Sequence, residues 1–174
     1  MKTKDFLGNE WEIDCMGCAI RDGTMLVPAD FILKTQYFCV HQDPLIPLPG
    51  FLVIASLRHF QSITDMQDVE YNEFANLMRT APFAIKQATG VEYLTIVQED
   101  SSIHFHLWFF PWTQAVMADY GKPSLSKIRE IMSNLKKQSV NEVEWKALEE
   151  SIAKIRLCWL KLGISIVESR MDVP

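Results

Sequence analysis

The stretch that decides the fold is His104-Phe105-His106-Leu107-Trp108-Phe109-Phe110-Pro111. Successive side chains of a β-strand point to opposite faces, so this stretch predicts a strand with two different faces. The apolar face, predicted to enter the core, carries Ile103, Phe105, Leu107 and Phe109. The other face carries His104, His106, Trp108 and Phe110. Two imidazoles on one face, shielded from water by aromatic neighbours, can attack an electrophile, move protons or bind a metal.

Two earlier segments add to this pattern. Cys15-Met16-Gly17-Cys18 is a C-x-x-C pair, and the apolar run at 51–56 leads into His59. A C-x-x-C pair, an apolar strand followed by histidine, and an H-x-H strand before a proline, in that order, resemble the histidine triad superfamily of nucleotide hydrolases and transferases. The segment Val40-His41-Gln42-Asp43-Pro44 also resembles the family's approach to its central strand. The resemblance covers about residues 12–113.

The resemblance implies an α+β fold with an antiparallel sheet of about five strands and one long helix. Patterns rich in β-branched and aromatic residues predict the strands, at 24–28, 32–40, 51–56, 93–98 and 103–110. Apolar residues at three- and four-residue steps predict a helix over 68–88, which Pro82 should kink. We expect residues 1–114 to form one domain.

The remaining residues, 115–174, predict a C-terminal helical extension, with helices over 124–135 and 141–162. Asn141 and Glu144 have the spacing of a capping box, and Gly163 is a stop signal. The second helix has an apolar stripe made of Trp145, Leu148, Ile152, Ile155, Trp159 and Leu162. We expect this stripe to pack on the same domain. The alternative is a partner or dimer helix, because a short coiled-coil seam has the same spacing.

The resemblance also implies roles for the histidine strand. In the family, the middle histidine attacks the α-phosphorus of a nucleotide, and His106 matches it. His104 matches the first histidine, and donors to the phosphate are expected from Gln98, Ser101 and Ser102, of which Ser101 matches the family's serine. Trp108 replaces the third histidine. Its indole has one N–H donor and no acceptor, so we expect either a donor to an oxyanion or a hydrophobic plug.

Contacts to the nucleotide follow from the same matches. Met16 and Ile20 match apolar positions that pack on the base. His41 and Gln42 match the segment that touches the ribose, where Asp43 is a possible substitute. The turn at 99–102 departs from the family pattern, because Glu99 and Asp100 would repel a phosphate unless they point to solvent.

The two-residue spacer of Cys15 and Cys18 is typical of a metal site or a redox pair. A redox pair needs a strand followed by a helix in a thioredoxin-like unit, and residues 10–14 do not supply that setting. Zinc is favoured because histidines are available to complete a tetrahedral N/S site. The resemblance implies Cys15, Cys18, His59 and His104 as its ligands, and the alternative is a metal-free vestige. Cys39 and Cys158 are expected to be buried small residues.

The net charge of −5 argues against a polymeric nucleic-acid binder but allows a small nucleotide in a cleft. No membrane span or signal peptide is evident in the sequence, so we expect a cytoplasmic protein. The resemblance implies a homodimer and a hydrolase of nucleotidyl phosphoanhydrides or phosphoramidates, with diadenosine tetraphosphate as the leading substrate. The alternatives are a nucleotide-binding relative with weakened catalysis and a zinc-stabilised interaction module.

Overall fold

A computed structural model describes residues 2–138 and 140–162. The strands are β1 (Lys2–Lys4), β2 (Glu10–Glu12), β3 (Leu33–Lys34), β4 (Phe38–Gln42), β5 (Leu52–Ser56), β6 (Leu94–Gln98) and β7 (His106–Pro111). The helices are α1 (Met16–Arg21), α2 (Asp68–Thr89), α3 (Gln114–Tyr120), α4 (Leu125–Leu135) and α5 (Glu142–Lys161). Strands β3 to β7 form an antiparallel sheet in the order β3-β4-β5-β7-β6, and β1 pairs with β2 in a separate hairpin. The predicted α+β class is therefore confirmed.

One face of the sheet forms the main core. Side chains that alternate along β4, β5 and β7 point to this face and pack against α2 and α5. The sheet contributes Phe38, Val40, Leu52, Ile54, Leu107 and Phe109. The helices contribute Phe74, Leu77, Ile85, Leu148, Ile152, Ile155 and Trp159. The apolar stripe of α5 thus packs on the long helix α2, where Trp159 Nε1 also donates to Thr80 Oγ1 at 3.2 Å.

The opposite face of the sheet is covered over only part of its area. Helices α3 and α4 cover one part, where Phe51, Phe110 and Trp112 pack with apolar residues of both helices. On the uncovered part, the register aligns His41 of β4 with Val53 of β5 and Val53 with Trp108 of β7. Ala55 of β5 is aligned with His106 in the same way. This face therefore brings together the histidines of β4 and β7.

The structure corrects three predicted strands. Residues 24–28 form a loop, because Met25 N–H donates back to Ala19 and the left-handed backbone of Ala29 and Asp30 follows. The run 32–40 is split by a tight turn into β3 and β4, with Thr35 N–H bonded to Phe38 O. The histidine strand begins at His106, because the chain bends before it and Phe105 N–H bonds to Phe60 O instead of joining the sheet ladder.

The bend changes the environment of Ile103, which was predicted to enter the core. Its side chain is 55% exposed, whereas Phe105, Leu107 and Phe109 are buried as predicted.

The predicted helix bounds agree more closely with the structure than the predicted strand bounds do. Helix α2 matches its predicted span and continues through Pro82.

The two long C-terminal helices also match their predicted spans. Helix α4 begins after Ser124. In α5, Asn141 Oδ1 accepts from Val143 N–H and Glu144 N–H, and the Glu144 carboxylate accepts from Asn141 N–H, which completes the predicted capping box. The predicted stop at Gly163 lies outside the described residues. Among the helices of the described ranges, none is both long and apolar enough to cross a bilayer.

Candidate functional site

Four potential metal ligands from three separate segments meet at one end of the sheet. Cys15 precedes α1 and caps its N-terminus, Cys18 lies in the first turn of α1, His59 follows β5, and His104 precedes β7. The two sulfurs and the two Nδ1 atoms all lie within 4.8 Å of one another. The rings of His59 and His104 meet edge to face, with centroids 5.1 Å apart.

The distances in this cluster fit a tetrahedral zinc site. Cys15 Sγ lies 3.7 Å from His59 Nδ1 and 3.3 Å from His104 Nδ1. Cys18 Sγ lies 3.2 Å and 3.6 Å from the same two atoms. Zn–S bonds of about 2.3 Å and Zn–N bonds of about 2.0–2.1 Å, at tetrahedral angles, place S and N about 3.6 Å apart. The four sulfur–nitrogen distances therefore fit a tetrahedral zinc ion held by these side chains.

His104 is held from several sides. Its ring is 3% exposed, and its Nε2 lies 2.8 Å from the Ser56 carbonyl oxygen. Because a carbonyl only accepts, Nε2 carries the proton and Nδ1 presents its lone pair to the sulfurs. Burial lowers the pKa of this imidazole, which favours the neutral, ligating form. On the other side, the ring lies against Gly17, where an added Cβ would come within 2.5 Å of it.

A cleft of about 470 Å³ adjoins the cysteine–histidine cluster on the uncovered face of the sheet. Its floor is formed by His41, Val53, Ala55, His106 and Trp108. Its walls come from the segment around α1, the turn after β4, the bend before β7 and helix α4. These segments contribute Asp14, Cys15, Met16, Gly17, Ile20, Asp43, Pro44, Leu45, Ser102, Ile103, His104 and Met132. Cys15 and His104 belong to both the cluster and the cleft.

His106 is half-buried on the floor of the cleft. Its Nδ1 lies 3.0 Å from the carbonyl oxygen of His104, so Nδ1 donates a proton to that carbonyl. In the neutral ring, the lone pair is therefore on Nε2, the nitrogen at the far side of the imidazole. The ring also stacks with Trp108, at 6.1 Å between centroids.

Trp108 occupies the floor beside His106 and packs edge to face on Phe51, with ring centroids 6.2 Å apart. Its side chain is half-buried and contacts the apolar cluster under α3 and α4. The indole thus separates the histidine from the covered part of the sheet face. It contributes aromatic surface and one N–H donor at this position.

Two titratable residues lie at the β4 end of the cleft. His41 is 2% exposed, its Nδ1 donates to the Gln42 carbonyl at 2.9 Å, and its Nε2 has no hydrogen-bond partner within the described residues. Burial lowers the pKa of His41 to about 4. The half-buried Asp43 accepts from Leu45 N–H and Ile46 N–H, and burial raises its pKa to about 6. A neutral imidazole acceptor therefore lies beside a carboxyl group that is held by backbone amides.

The structure does not bring every predicted contact residue into the cleft. Gln42 is fully buried on the core face of β4, and its amide donates to the carbonyls of Ile46 and Leu48. Gln98 donates to the Asp100 carboxylate, and Ser101 is exposed to solvent. These three residues are absent from the lining of the cleft in the described part of the chain, whereas Met16, Ile20, His41, Asp43 and Ser102 line it.

The two carboxylates of the acidic turn before the histidine strand are absent from the lining of the cleft in the described residues. Glu99 forms an ion pair with Arg129 of α4. The Asp100 carboxylate accepts from Gln98 and from the Ser62 hydroxyl. Both carboxylates are thus bound by partners that lie outside the lining of the cleft. Ser102 follows this turn, and its hydroxyl donates to the His104 carbonyl at 2.9 Å.

Among the contributors to the site that were not predicted from the sequence, three have a distinct role. Gly17 provides the space for the His104 ring, Ser56 provides the carbonyl that sets the tautomer, and Met132 of α4 forms part of one wall. The position of Gly17 between the two cysteines of the C-x-x-C pair was the sequence signal that could have indicated its role. No local pattern marks Ser56 or Met132, since their roles depend on tertiary packing.

No protein-family model matches the sequence, and no curated protein matches it either. Solved structures do match. A zinc-bound histidine triad family protein from Mycobacterium smegmatis has a TM-score of 0.59 at 16% identity, over 86% of this chain and 96% of that one. A hypothetical histidine triad nucleotide-binding protein from Sulfolobus tokodaii has a TM-score of 0.60 at 16% identity, over 86% of this chain and 97% of that one.

A further match is a HIT-like protein involved in cell-cycle regulation from Bartonella henselae, with a TM-score of 0.60 at 14% identity, over 85% of this chain and 98% of that one. This chain has the histidine triad fold. Residues 1–114 make up about two thirds of the 174 residues, so an alignment over 86% also includes part of the C-terminal helices. The likeness in fold is thus not limited to the strands and the first long helix.

Proposed function

We propose that this protein is a histidine triad hydrolase that releases a nucleoside monophosphate from a nucleotidyl phosphoanhydride or phosphoramidate. The observation that carries this proposal is the hydrogen bond between His106 Nδ1 and the His104 carbonyl oxygen. It leaves a nucleophilic Nε2 lone pair on a histidine that lines a cleft next to a half-buried serine hydroxyl. The fold supports the same class, because its structural neighbours are histidine triad proteins.

The reaction proceeds in two displacements. His106 Nε2 attacks the α-phosphorus, a P–N bond forms, and the bond from phosphorus to the leaving oxygen or nitrogen breaks. Water then attacks the same phosphorus and loses a proton to solvent, the P–N bond breaks, and the neutral imidazole is regenerated with release of the monophosphate. That proton balances the one that the leaving oxygen or nitrogen takes from solvent in the first displacement. Both displacements place negative charge on the non-bridging oxygens, which the indole N–H of Trp108 can stabilise as a donor. The Ser102 hydroxyl can donate to the same oxygens once it turns from the His104 carbonyl to the phosphate. Covalent catalysis thus divides one difficult transfer into two easier steps.

The β4 end of the cleft suits a nucleoside. His41 Nε2 can accept a hydrogen bond from a sugar hydroxyl, which would satisfy a buried acceptor that has no partner among residues 2–138 and 140–162. The Asp43 carboxyl group lies next to it and can accept a second hydroxyl. Met16 and Ile20 offer apolar surface to the base. Diadenosine tetraphosphate is the substrate that we propose, since its adenosine group would fill this end of the cleft.

We propose zinc as the ion held by Cys15, Cys18, His59 and His104. Two thiolates and two imidazoles fill all four tetrahedral positions, as is typical of structural rather than catalytic sites. When bound, the ion would cross-link the three chain segments that carry these ligands. The cleft residues would carry out the chemistry.

Trp108 supports a second candidate, a protein that binds nucleotides without turnover. A tryptophan cannot accept a proton or change its charge, so it lacks part of what a histidine offers at that position. Its packing on Phe51 is also compatible with a purely apolar role.

The release of AMP from diadenosine tetraphosphate and from a fluorogenic adenosine phosphoramidate tests both candidates. We expect wild type to release AMP and His106→Ala to release none, with both proteins folded by circular dichroism. Phe83→Ala is a matched control, because it removes a ring that is 50% exposed on α2, on the core side of the sheet. AMP binding without release by wild type would favour the second candidate, and neither binding nor release would favour an interaction module.

A further inference from the structure

We propose that metal occupancy of the cysteine–histidine cluster controls the nucleotide cleft, because the bound ion holds both the backbone group that orients His106 and the segment that forms one cleft wall. This inference rests on the proposed function and names a regulation of that same site. It assigns the cluster a role in nucleotide binding and in the orientation of His106, in addition to a role in the stability of the fold.

The first step concerns the segments that the ligands join. Cys15 and Cys18 belong to α1 and its N-cap, whereas His59 and His104 follow and precede strands of the sheet. A tetrahedral ion would link these segments through four bonds at one end of the cleft. Apart from the ligands, α1 is held by its buried Ala19 and Ile20, which pack in an apolar cluster with Phe31 and Leu45. Near the cleft end, Arg21 donates to the Leu57 carbonyl at 3.1 Å, and Gly17 lies against the His104 ring.

The second step concerns the main chain of His104. Its carbonyl oxygen accepts from His106 Nδ1 at 3.0 Å and from the Ser102 hydroxyl at 2.9 Å. The ring of the same residue faces both cysteine sulfurs. The ring and the carbonyl belong to the same residue, so a shift of the His104 main chain on metal loss would move a carbonyl that sets the tautomer of His106 and the direction of the serine hydroxyl. The bond from His104 to the Ser56 carbonyl uses Nε2, the nitrogen that does not face the sulfurs, so we expect a graded effect and no complete collapse on metal loss.

The third step concerns the wall of the cleft. Cys15, Met16, Gly17 and Ile20 all line the cleft, and the first of these is also a ligand. Release of the ion would free the N-cap of α1 from the sheet and increase the freedom of the wall that faces the nucleoside. Metal loss should thus weaken nucleotide binding as well as catalysis.

The test uses the full chain in zinc-loaded form, after chelation, and after zinc is added back. AMP affinity is measured by calorimetry, and the His106 tautomer is measured by the ¹⁵N shifts of its ring, assigned with His106→Gln. We expect chelation to weaken AMP binding at least tenfold and to convert a single Nδ1–H tautomer into a mixture, with both effects reversed by zinc. An unchanged tautomer and unchanged AMP affinity in a folded metal-free protein would overturn the proposal.

A variant keeps the test decisive if the chelated protein unfolds. His59→Ala removes a ligand that is exposed and does not line the cleft, so it weakens the site and lets free zinc set the occupancy. AMP affinity and the tautomer of the folded variant should follow zinc concentration, and values independent of zinc would overturn the proposal. Gln61→Ala, an exposed neighbour outside the cluster, should behave as wild type.

The outcomes separate this inference from the proposed function. Equal rates of AMP release with and without zinc would preserve the hydrolase and remove the metal control. A zinc-dependent His106 tautomer in a protein that releases no AMP would preserve the metal control and remove the hydrolase. Zinc-dependent AMP binding with a constant tautomer would assign the effect to the α1 wall alone and would overturn control through the His104 carbonyl.

Discussion

Replacement of His41 by phenylalanine should change how the stability of the protein depends on pH. His41 is 2% exposed, and burial lowers the pKa of its imidazole to about 4 from an ordinary value of 6.5. Since the folded pKa lies below the unfolded one, the unfolded chain binds more protons at any pH between these values. His41 therefore subtracts stability as the pH falls from about 6.5 to about 4, and phenylalanine should abolish that loss.

The size of the effect follows from the two pKa values. As the pH falls from about 7.5 to about 5, the titration of His41 lowers the unfolding free energy of wild type by about 2 kcal/mol. Asp43 acts in the opposite direction, because burial raises its pKa to about 6 and the protein gains stability as this carboxyl group becomes protonated. The carboxyl group is half-buried and near Lys136, so we assign it only about 1 kcal/mol over the same range.

Urea unfolding followed by tryptophan fluorescence at a series of pH values measures both terms. Other ionisable groups are common to wild type and variant, so they cancel in the difference. The difference in unfolding free energy between His41→Phe and wild type should shift by about 2 kcal/mol in favour of the variant on acidification. For Asp43→Asn, the difference in unfolding free energy should instead shift in favour of wild type on acidification. Parallel profiles for wild type and His41→Phe would refute a buried neutral imidazole in the cleft.

Three further predictions concern the fold and the cluster. Gly17→Ala places a Cβ within 2.5 Å of the His104 ring, so it should cost about 1–3 kcal/mol and weaken zinc binding in a chelator competition; unchanged zinc affinity would contradict the packing. Glu70→Gln loses a carboxylate that binds Arg58 through two bonds and accepts from Gln67 N–H, so it should cost about 1–2 kcal/mol in urea unfolding, discounted because Arg58 is 42% exposed. Verified zinc removal should lower the melting temperature by on the order of 5–10 °C, and an unchanged melting temperature would exclude a structural role for the metal.

The features of the fold that could be predicted from the sequence are those set by residues close together in the chain. The α5 stripe repeats every three or four residues, and the Asn141–Glu144 capping box lies within one turn of helix, so both could be read without tertiary information. The same holds for the buried face of β7, where Leu107 and Phe109 alternate with the cleft residues. Patterns of this kind depend only on neighbours in the chain.

Elements without such a period could not be predicted. Strands β1 and β2 have three residues each and no buried face, and their connecting turn depends on Asp5. The Asp5 carboxylate accepts from Leu7 N–H, Asn9 N–H and Trp11 Nε1–H. The bend before β7 likewise depends on a hydrogen bond from Phe105 to a distant residue, Phe60. Contacts of this type become visible only once the chain is folded.

The candidate site shows the same division. The resemblance to the histidine triad superfamily implied one cluster made of the C-x-x-C pair and two of the four histidines, His59 and His104, and the structure brings these residues together. Gln42 was misplaced because the alternation of β4 turns it to the core face, whereas His41 faces the cleft. The expected homodimer stays a prediction.

The central claim is that His106 becomes covalently linked to the nucleotide. Protein quenched in denaturant during turnover of an adenosine phosphoramidate, then digested and mapped by mass spectrometry, tests this claim directly. We predict one acid-labile adenylyl group on the peptide that contains His106, and none in His106→Ala. Steady release of AMP with no adduct at any time point, or an adduct on a different residue, would contradict the proposed mechanism.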